Sequence, residues 1–345
     1  MKKYISLLLI LFIVLILSGC SKSDEDGNEK KFSTAMVTDT GGVYDQSFNM
    51  SSWQGMRRFA EKTGAKVSYV ESRQSSDYSI NMDRLADEDM DLIWAIGFSL
   101  ADVLKRAAET NPELNYAIID YSYGDETLEN VTGVMFRAEE SAFLAGYVAG
   151  KTTKTCKVGF IGGIASIVVD QFEYGFRAGV DYAAKERGVN IEFVSQYAES
   201  FSDAAKGKAI ALKMYSHGCD IVFHAAGSVG VGLIEAAKET NNFAIGVDMD
   251  QSNLAPKNIL TSALKNAGQA VELVSTKLMN GEKIGGKTLS FGLSEGCVGL
   301  PEFNPNIEPK VYISAMKIKE EISAGNIMPP ANADEYATFK EKYIN

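Results

Sequence analysis

FSTAMVTDTGGVYDQSFNMSSWQGMRRFAEKTGAKVSYV, residues 32–70, runs from one apolar segment through a Gly-Gly loop and a helical stretch into a second apolar segment. The helical stretch places Trp53, Met56 and Ala60 on one side and Arg57, Arg58, Glu61 and Lys62 elsewhere, then stops at Gly64, so its apolar side is expected to lie on a sheet. The same alternation continues through DLIWAIGF, NYAIIDY, NVTGVMF, KVGFIGG, NIEFVSQYA, CDIVFHAAG, FAIGVD and ILTSAL. Continuous apolar strands separated by helices predict parallel sheets covered on both faces. Residues 157–196 repeat the opening layout: Gly55 and Gly64 stand as far apart as Gly179 and Gly188, and Asp45-Gln46 echoes Asp170-Gln171. An internal duplication and the general likeness of any two βαβ units both account for this. Either gives an α/β chain of two doubly wound, Rossmann-like lobes. Ligands of such sheets bind beyond the carboxyl ends of the strands, so two facing lobes would form a cleft.

Ahead of this region, MKKYISLLLILFIVLILSGC has two lysines, an apolar run and small residues before Cys20. This reads as an export leader; the run is short for a membrane span and has no basic stop beyond it. The end resembles a bacterial lipobox, which implies cleavage before Cys20 and lipid on that residue. Residues 21–31, SKSDEDGNEKK, hold no apolar side chain to bury and suit a solvated tether. Removal of Lys2 and Lys3 takes the formal charge from −11 to −13, which argues against nucleic acid as a partner. With 46% hydrophobic residues and 7 prolines the chain is globular. Besides Cys20, Cys156, Cys219 and Cys297 show no metal-binding spacing; one disulfide is possible, a disulfide-built fold is not.

Two motifs suggest chemistry that their context denies. GEKIGGKT, residues 281–288, fits the phosphate-loop pattern, but a helical stretch precedes it and a strand-like one follows, the reverse of what a phosphate cradle needs. DMDQSN, residues 248–253, begins like a calcium loop, but the pattern then requires Gly where Asn253 stands and Glu where Ile259 stands. No metal or cofactor is implied. His217 and His224 are the only histidines, and no Gly-x-Ser-x-Gly is present, so a hydrolase triad has little material. His224, within an apolar strand, is expected to be a hydrogen-bonded core or cleft-edge imidazole.

What remains is a set of polar and aromatic residues at strand ends: Asp39, Phe48, Asn49, Asp120, Phe201, Gly227, Asp248 and Lys265. Singly, each has an ordinary role as cap, core residue or surface charge. Together they suit a neutral ligand with a flat ring and a diol. Two Phe rings from opposite lobes can sandwich a base, each stack being worth about 1–3 kcal/mol, while Asn and Asp read its edge and a carboxylate takes ribose hydroxyls. The opening loop has no basic residue and lacks G-x-G-x-x-G spacing, so it is not expected to hold a phosphate.

At these residues the chain resembles a known family. DTGGVYDQSFN with WQG, YAIIDY, FRAEESAFLAG, VGFIGG with QFEYGFRAG, YAESFSDAAKGK, DIVFHAAGSVGVGLIEAAKE, IGVDMDQ and ILTSALK are similar to the basic membrane protein family, lipoprotein substrate-binding components of ABC transporters typified by a purine nucleoside receptor. The resemblance spans residue 32 to the C-terminus and implies a type I periplasmic-binding-protein fold with a three-segment hinge. The expected parts are a leader (1–19), a lipidated Cys20 with tether (20–31), one lobe of 32–147 plus about 265–290, and another of 148–264 plus about 291–345. Carried over, the stacking aromatics fall on Phe48 and Phe201, the base-edge groups on Asn49 and Asp120, and the ribose and cleft contacts on Asp39, Gly227, Asp248 and Lys265. The implied protein is no enzyme. It is a monomer on the extracytoplasmic face of a bacterial membrane that binds a purine nucleoside (adenosine, guanosine or inosine) and serves an ABC permease and ATPase. Lys265 is expected to donate to a ribose hydroxyl and offset the charge of Asp248 or Asp39. A superfamily member that is a cytoplasmic regulator is disfavoured by the lipobox. Alternatives are a sugar or signalling-molecule ligand in the same architecture, or a secreted nucleoside hydrolase. Two departures stand out: the second Gly-Gly loop, IGGIASIVVDQF, lacks a Pro often found there, and Asp45-Gln46 stands where Asp-Lys is usual.

Overall fold

The first five apolar runs become strands β1 (Ser33–Thr38), β2 (Lys66–Val70), β3 (Leu92–Ile96), β4 (Tyr116–Ile119) and β5 (Val131–Phe136) in a computed structural model that describes residues 31–302 and 304–345. The leader, Cys20 and nearly all of the tether lie outside the described residues. The next five runs become β6 (Lys157–Gly162), β7 (Glu192–Tyr197), β8 (Ile221–Ala225), β9 (Phe243–Asp248) and β10 (Ile259–Lys265), followed by β11 (Lys287–Phe291) and the two-residue β12 (Val298–Gly299).

One sheet has the order β11-β5-β4-β3-β1-β2 and the other β12-β10-β9-β8-β6-β7. Setting β1–β5 on β6–β10 makes the two orders identical, so the repeat read in the sequence is architectural. Helices α1 (Phe48–Thr63) and α5 (Ile167–Arg187) occupy equivalent places, and each ends on a left-handed glycine, Gly64 and Gly188. The first sheet is parallel throughout; in the second, β12 runs antiparallel to β10, an edge strand too short to read from its residues. Strand order reverses beside β1 and β3 in one lobe and beside β6 and β8 in the other. The carboxyl ends at these switch points are where open α/β sheets place ligands.

Helix α2 (Asp77–Asp87) follows β2, α3 (Ala101–Thr110) follows β3, and α4 (Ala138–Thr152) joins β5 to β6. Helix α4 packs closely on α5 and also meets β10. The physical reason is backbone proximity. A Cβ on Gly146 would lie 2.0 Å from the Phe176 carbonyl oxygen, and one on Gly179 2.0 Å from that of Phe143. Only glycine permits this approach. The chain crosses back between β10 and α8 (Ala267–Met279), which packs on α1, and crosses again between β11 and β12. Helices α6 (Ala204–Ser216), α7 (Val229–Thr240), α9 (Pro309–Ser323) and α10 (Ala333–Phe339) complete the second lobe, and Phe32–Asn345 forms one compact unit.

The buried side of α1 differs from the stripe expected. It comprises Asn49, Ser51, Ser52, Gly55, Met56 and Phe59, while Trp53 is half-buried against Tyr69 with ring centroids 4.9 Å apart. Because α1 meets both the sheet and α8, small residues serve its second contact. Cys156, Cys219 and Cys297 are all free.

Gly179→Val should therefore force α4 and α5 apart. Overpacking of this kind costs about 1–3 kcal/mol or more, and a thermal melt should show a clear fall in Tm; an unchanged Tm would refute the close-packed glycine contact.

Candidate ligand-binding site

The carboxyl ends of the strands in both sheets face one cavity of about 580 Å³, its open mouth included. All eight residues singled out in the sequence line it: Asp39, Phe48, Asn49, Asp120, Phe201, Gly227, Asp248 and Lys265. Sequence reasoning did not select Asp45, Phe98, Phe172 and the Val168-Val169 pair, which also line it. Phe98 directly follows the β3 run and was within reach of the same strand-end logic. Phe172 lies inside α5, where nothing in the sequence separates a cavity ring from a core ring.

The first lobe contributes a polar wall organised by the start of α1. Asp45 accepts hydrogen bonds from the backbone N–H groups of Ser47 (2.9 Å), Met50 (3.0 Å) and Asn49 (2.8 Å), capping the helix from within the loop. Its Oδ2 also accepts from Asn49 Nδ2 at 3.1 Å, and Asp39 Oδ1 accepts from the same amide at 2.8 Å. Two carboxylates thus fix which way the Asn49 amide points, since its NH2 group alone can donate to both. The consequence is that Asn49 Oδ1, in a residue 1% exposed, has no hydrogen-bond partner among the described residues. A buried acceptor without a donor costs about 1–3 kcal/mol, so a donor from a ligand is the natural complement.

The lobes meet through polar bonds at the cavity floor. Lys265 Nζ, on the second sheet, donates to Asp120 Oδ2 of the first at 2.5 Å and lies 4.0 Å from Asp248 Oδ1. Its nearest partner is Asp120, and it also offsets the charge of Asp248 and, more weakly, Asp39, as expected from the sequence. The same ammonium stands 4.4 Å from the Phe48 ring centre, with the Phe136 and Phe172 rings at 5.6 and 5.7 Å. Ser47 donates from its hydroxyl to Asp248, and Gln251 Nε2 donates to the Gln46 carbonyl oxygen at 2.8 Å. Asp120 directly follows β4 and Asp248 ends the equivalent strand β9, and both are left-handed, with φ of 66° and 64°. This conformation is uncommon for a residue other than glycine, though Asp adopts it more readily than most.

Aromatic surface comes from both lobes. Phe48 opens α1 and Phe201 lies on the loop after β7. The Phe201 ring occupies the space a side chain at position 163 would take: a Cβ on Gly163 would lie 2.2 Å from it. Gly227, at φ 55°, also passes close to the Phe201 backbone. Phe98 meets Phe201 edge-on across the cleft, with centroids 6.2 Å apart.

Burial shifts the acids upward. Removal from water raises Asp39 despite its bonds to Asn49 and Gly41. Asp45 is pushed up to about 7 and Asp248 to about 6, in both cases chiefly by burial, with Lys265 and the Ser47 hydroxyl pulling Asp248 back down. His224 is fully buried, hydrogen-bonded to Gln251 Oε1 at 3.1 Å and lowered by burial to about 4, so it is a neutral core imidazole. The GEKIGGKT stretch joins the end of α8 to β11 and has the order helix, turn, strand. DMDQSN contributes Asp248 to the cavity and Gln251 to the bonds between lobes. Among the described residues no set of three or more His, Cys, Asp or Glu side chains is placed to hold a metal ion, and no helix is long and apolar enough to cross a membrane.

Two parallel α/β lobes around a cavity of acceptors and rings define a binding protein of the type I periplasmic class. Residues 32–333 match the family model described as ABC transporter substrate-binding protein PnrA-like, and the chain belongs to that family. Basic membrane protein B of Borreliella afzelii is 40% identical over 97% of this chain and 98% of its own length. The CD4+ T-cell-stimulating antigen of Listeria monocytogenes is 37% identical over 94% of this chain and 97% of its own. The solved ABC transporter solute-binding protein of Aeropyrum pernix K1 is similar at a TM-score of 0.80 and 26% identity, covering 90% of this chain and 97% of that one. A transcriptional activator of the comK gene from Bacillus halodurans, at 0.72 and 22%, shares the fold. The family is one of substrate-binding proteins, not enzymes, which removes the hydrolase alternative.

A carboxyl whose pKa is higher folded than unfolded stabilises fully below about pH 4, and that contribution is lost as pH rises through its folded pKa, about 6 for Asp248 and about 7 for Asp45. Asp248→Asn cannot lose it. Calorimetric Tm values taken from about pH 5 to about pH 8 should show the wild type falling relative to the variant; a gap that moves the other way would contradict a proton-binding, buried Asp248.

Proposed function

We propose that this chain is the lipid-anchored receptor of an ABC transporter, held through Cys20 on the extracytoplasmic face of a bacterial membrane, and that it binds a purine nucleoside between its lobes. The observation that carries the reading is the partnerless Asn49 Oδ1 at the edge of a cavity whose Phe48 and Phe201 rings come from opposite lobes. A purine offers what this edge lacks, an N–H donor on a flat ring. Its ribose hydroxyls suit the remaining carboxylate oxygens of Asp39 and Asp248, and acceptor-rich walls favour such a donor-rich, uncharged ligand. Asp120 acts by holding Lys265 beside Phe48, and Lys265 can present a further N–H to the sugar.

In this reading the crossings near Arg137, Asn266 and Gly292 form the hinge between a lobe built on β1–β5 with β11 and one built on β6–β10 with β12. Closure as a monomer excludes water from the ligand, and the closed form delivers it to the permease and its ATPase. No bond in the ligand is made or broken.

Denaturing the purified protein and analysing the released small molecules by mass spectrometry should yield a purine nucleoside. Calorimetry on the refolded protein should show binding of adenosine, guanosine or inosine, and Phe48→Ala should weaken it by about 1–3 kcal/mol, roughly 5- to 150-fold, the worth of one stacked base. A folded, ligand-stripped protein that gives no heat with any of the three would sink the proposal. Affinity unchanged in Phe48→Ala would redirect it to a ligand without a ring.

A further inference from the structure

We infer that Asp45 makes the receptor reject the phosphorylated form of its ligand, so that a phosphomonoester hydrolysis outside the membrane must supply what it binds. The inference rests on the nucleoside reading of the cavity and adds a specificity residue to it.

A phosphate buried in this cavity would need a cation or a free helix N-terminus. The helix end is occupied. The Asp45 carboxylate, 2% exposed, accepts from the backbone N–H groups of Ser47, Asn49 and Met50 at 2.8–3.0 Å, which is the arrangement a bound oxyanion would adopt. A Gly-Gly loop leading from a strand into a helix is thus built like an anion cradle and then filled by the chain's own acid. The equivalent helix of the other lobe, α5, turns Val168 and Val169 to the cavity, and the Val169 N–H is taken by Ser166 Oγ at 3.3 Å.

The cation is committed as well. Among the described residues lining the cavity, Lys265 is the single basic one, and it is held at 2.5 Å by Asp120 and 4.0 Å from Asp248. A monoester phosphate carries close to two negative charges near neutral pH and would sit among Asp39, Asp45, Asp120 and Asp248 without a partner. A hydroxyl in its place is neutral and donates. The supplying reaction needs only water: its oxygen joins phosphorus as the bond from phosphorus to the sugar oxygen breaks, the sugar oxygen takes a proton, and inorganic phosphate leaves.

The test is calorimetry on the full-length protein in detergent with a purine nucleoside, its 5′-monophosphate, the monophosphate after phosphatase treatment, and inorganic phosphate alone. The nucleoside should bind, the monophosphate at least about 100-fold more weakly, phosphatase treatment should restore binding, and inorganic phosphate should give no heat. Asp45→Ser, which shortens the side chain and removes the carboxyl group from the helix end, should narrow the gap at least about 10-fold; Asp45→Asn, which keeps the shape, is the second arm if the first does not fold. Monophosphate binding within about 3-fold of a nucleoside that does bind overturns the rejection, and an unaltered gap in a folded variant overturns the role of Asp45. Failure of the nucleoside itself to bind a folded protein would instead overturn the reading beneath.

Discussion

Among the described residues, four carboxyl groups, those of Asp39, Asp45, Asp120 and Asp248, share one cavity with a single ammonium, that of Lys265, and the rest of the site is arranged around that imbalance. A buried charge is tolerable when it is paired and hydrogen-bonded. Lys265 meets the condition from an anchored backbone, since it ends β10 and is paired with Val298 of the antiparallel β12. The long side chain then spans the cleft to Asp120, passing over the Phe48 ring. Asp45 and Asp39 are served differently, by backbone and amide N–H groups, and Asp248 by the Ser47 hydroxyl. Even so, burial leaves Asp39, Asp45 and Asp248 more ready to take up a proton than they are in water. The cavity therefore holds an excess of acceptors that a donor-rich ligand relieves.

The two lobes repeat one plan and use it for different ends. At the equivalent carboxyl ends of β1 and β6, the first lobe has Asp39 and the second Gly163. The carboxylate orients Asn49, whereas the glycine leaves room for the Phe201 ring. At β4 and β9 both lobes keep a left-handed Asp, yet one meets an ammonium and the other a hydroxyl. The first lobe thus supplies Asp39, Asp45, Asn49 and Asp120 to the cavity, while the second adds apolar cover from Phe201, Phe172, Val168 and Val169 to its Asp248 and Lys265.

This division explains which features were legible in the sequence. Strand existence was, because parallel strands buried on both faces are continuous apolar runs; the ten runs became β1–β10. Strand ends were legible too, because topology alone puts them on the ligand side, and the eight residues so chosen share the cavity. Partnerships were not. That Lys265 pairs with Asp120 and Ser47 with Asp248 depends on the distance across the cleft, which no local spacing encodes. The packing of α4 against α5 was hidden for a related reason. It rests on the mutual close approach of α4 and α5 at Gly146 and Gly179, while α4 itself, buried nearly all round, has no polar face to show its place.

The contacts that join the lobes at the cleft also bear on how closure is balanced. Among the described residues they include Lys265 with Asp120 and with the Phe48 ring, Ser47 with Asp248, Gln251 with Gln46, and the edge contact of Phe98 with Phe201. In an opened cleft each polar group would regain water, so a neutral bond contributes only about 0.5–1.5 kcal/mol net and a charged one about 1.5–3. Against this stand the desolvation of several carboxylates and the bare Asn49 Oδ1. In the proposed closure these terms oppose one another, and a ligand shifts the population only through a difference in its affinity for the open and closed forms. A ligand that donates to Asn49 and the acids removes the cost while keeping the bonds. The same unpaired acceptors that make the cavity selective therefore make its closure depend on what fills it.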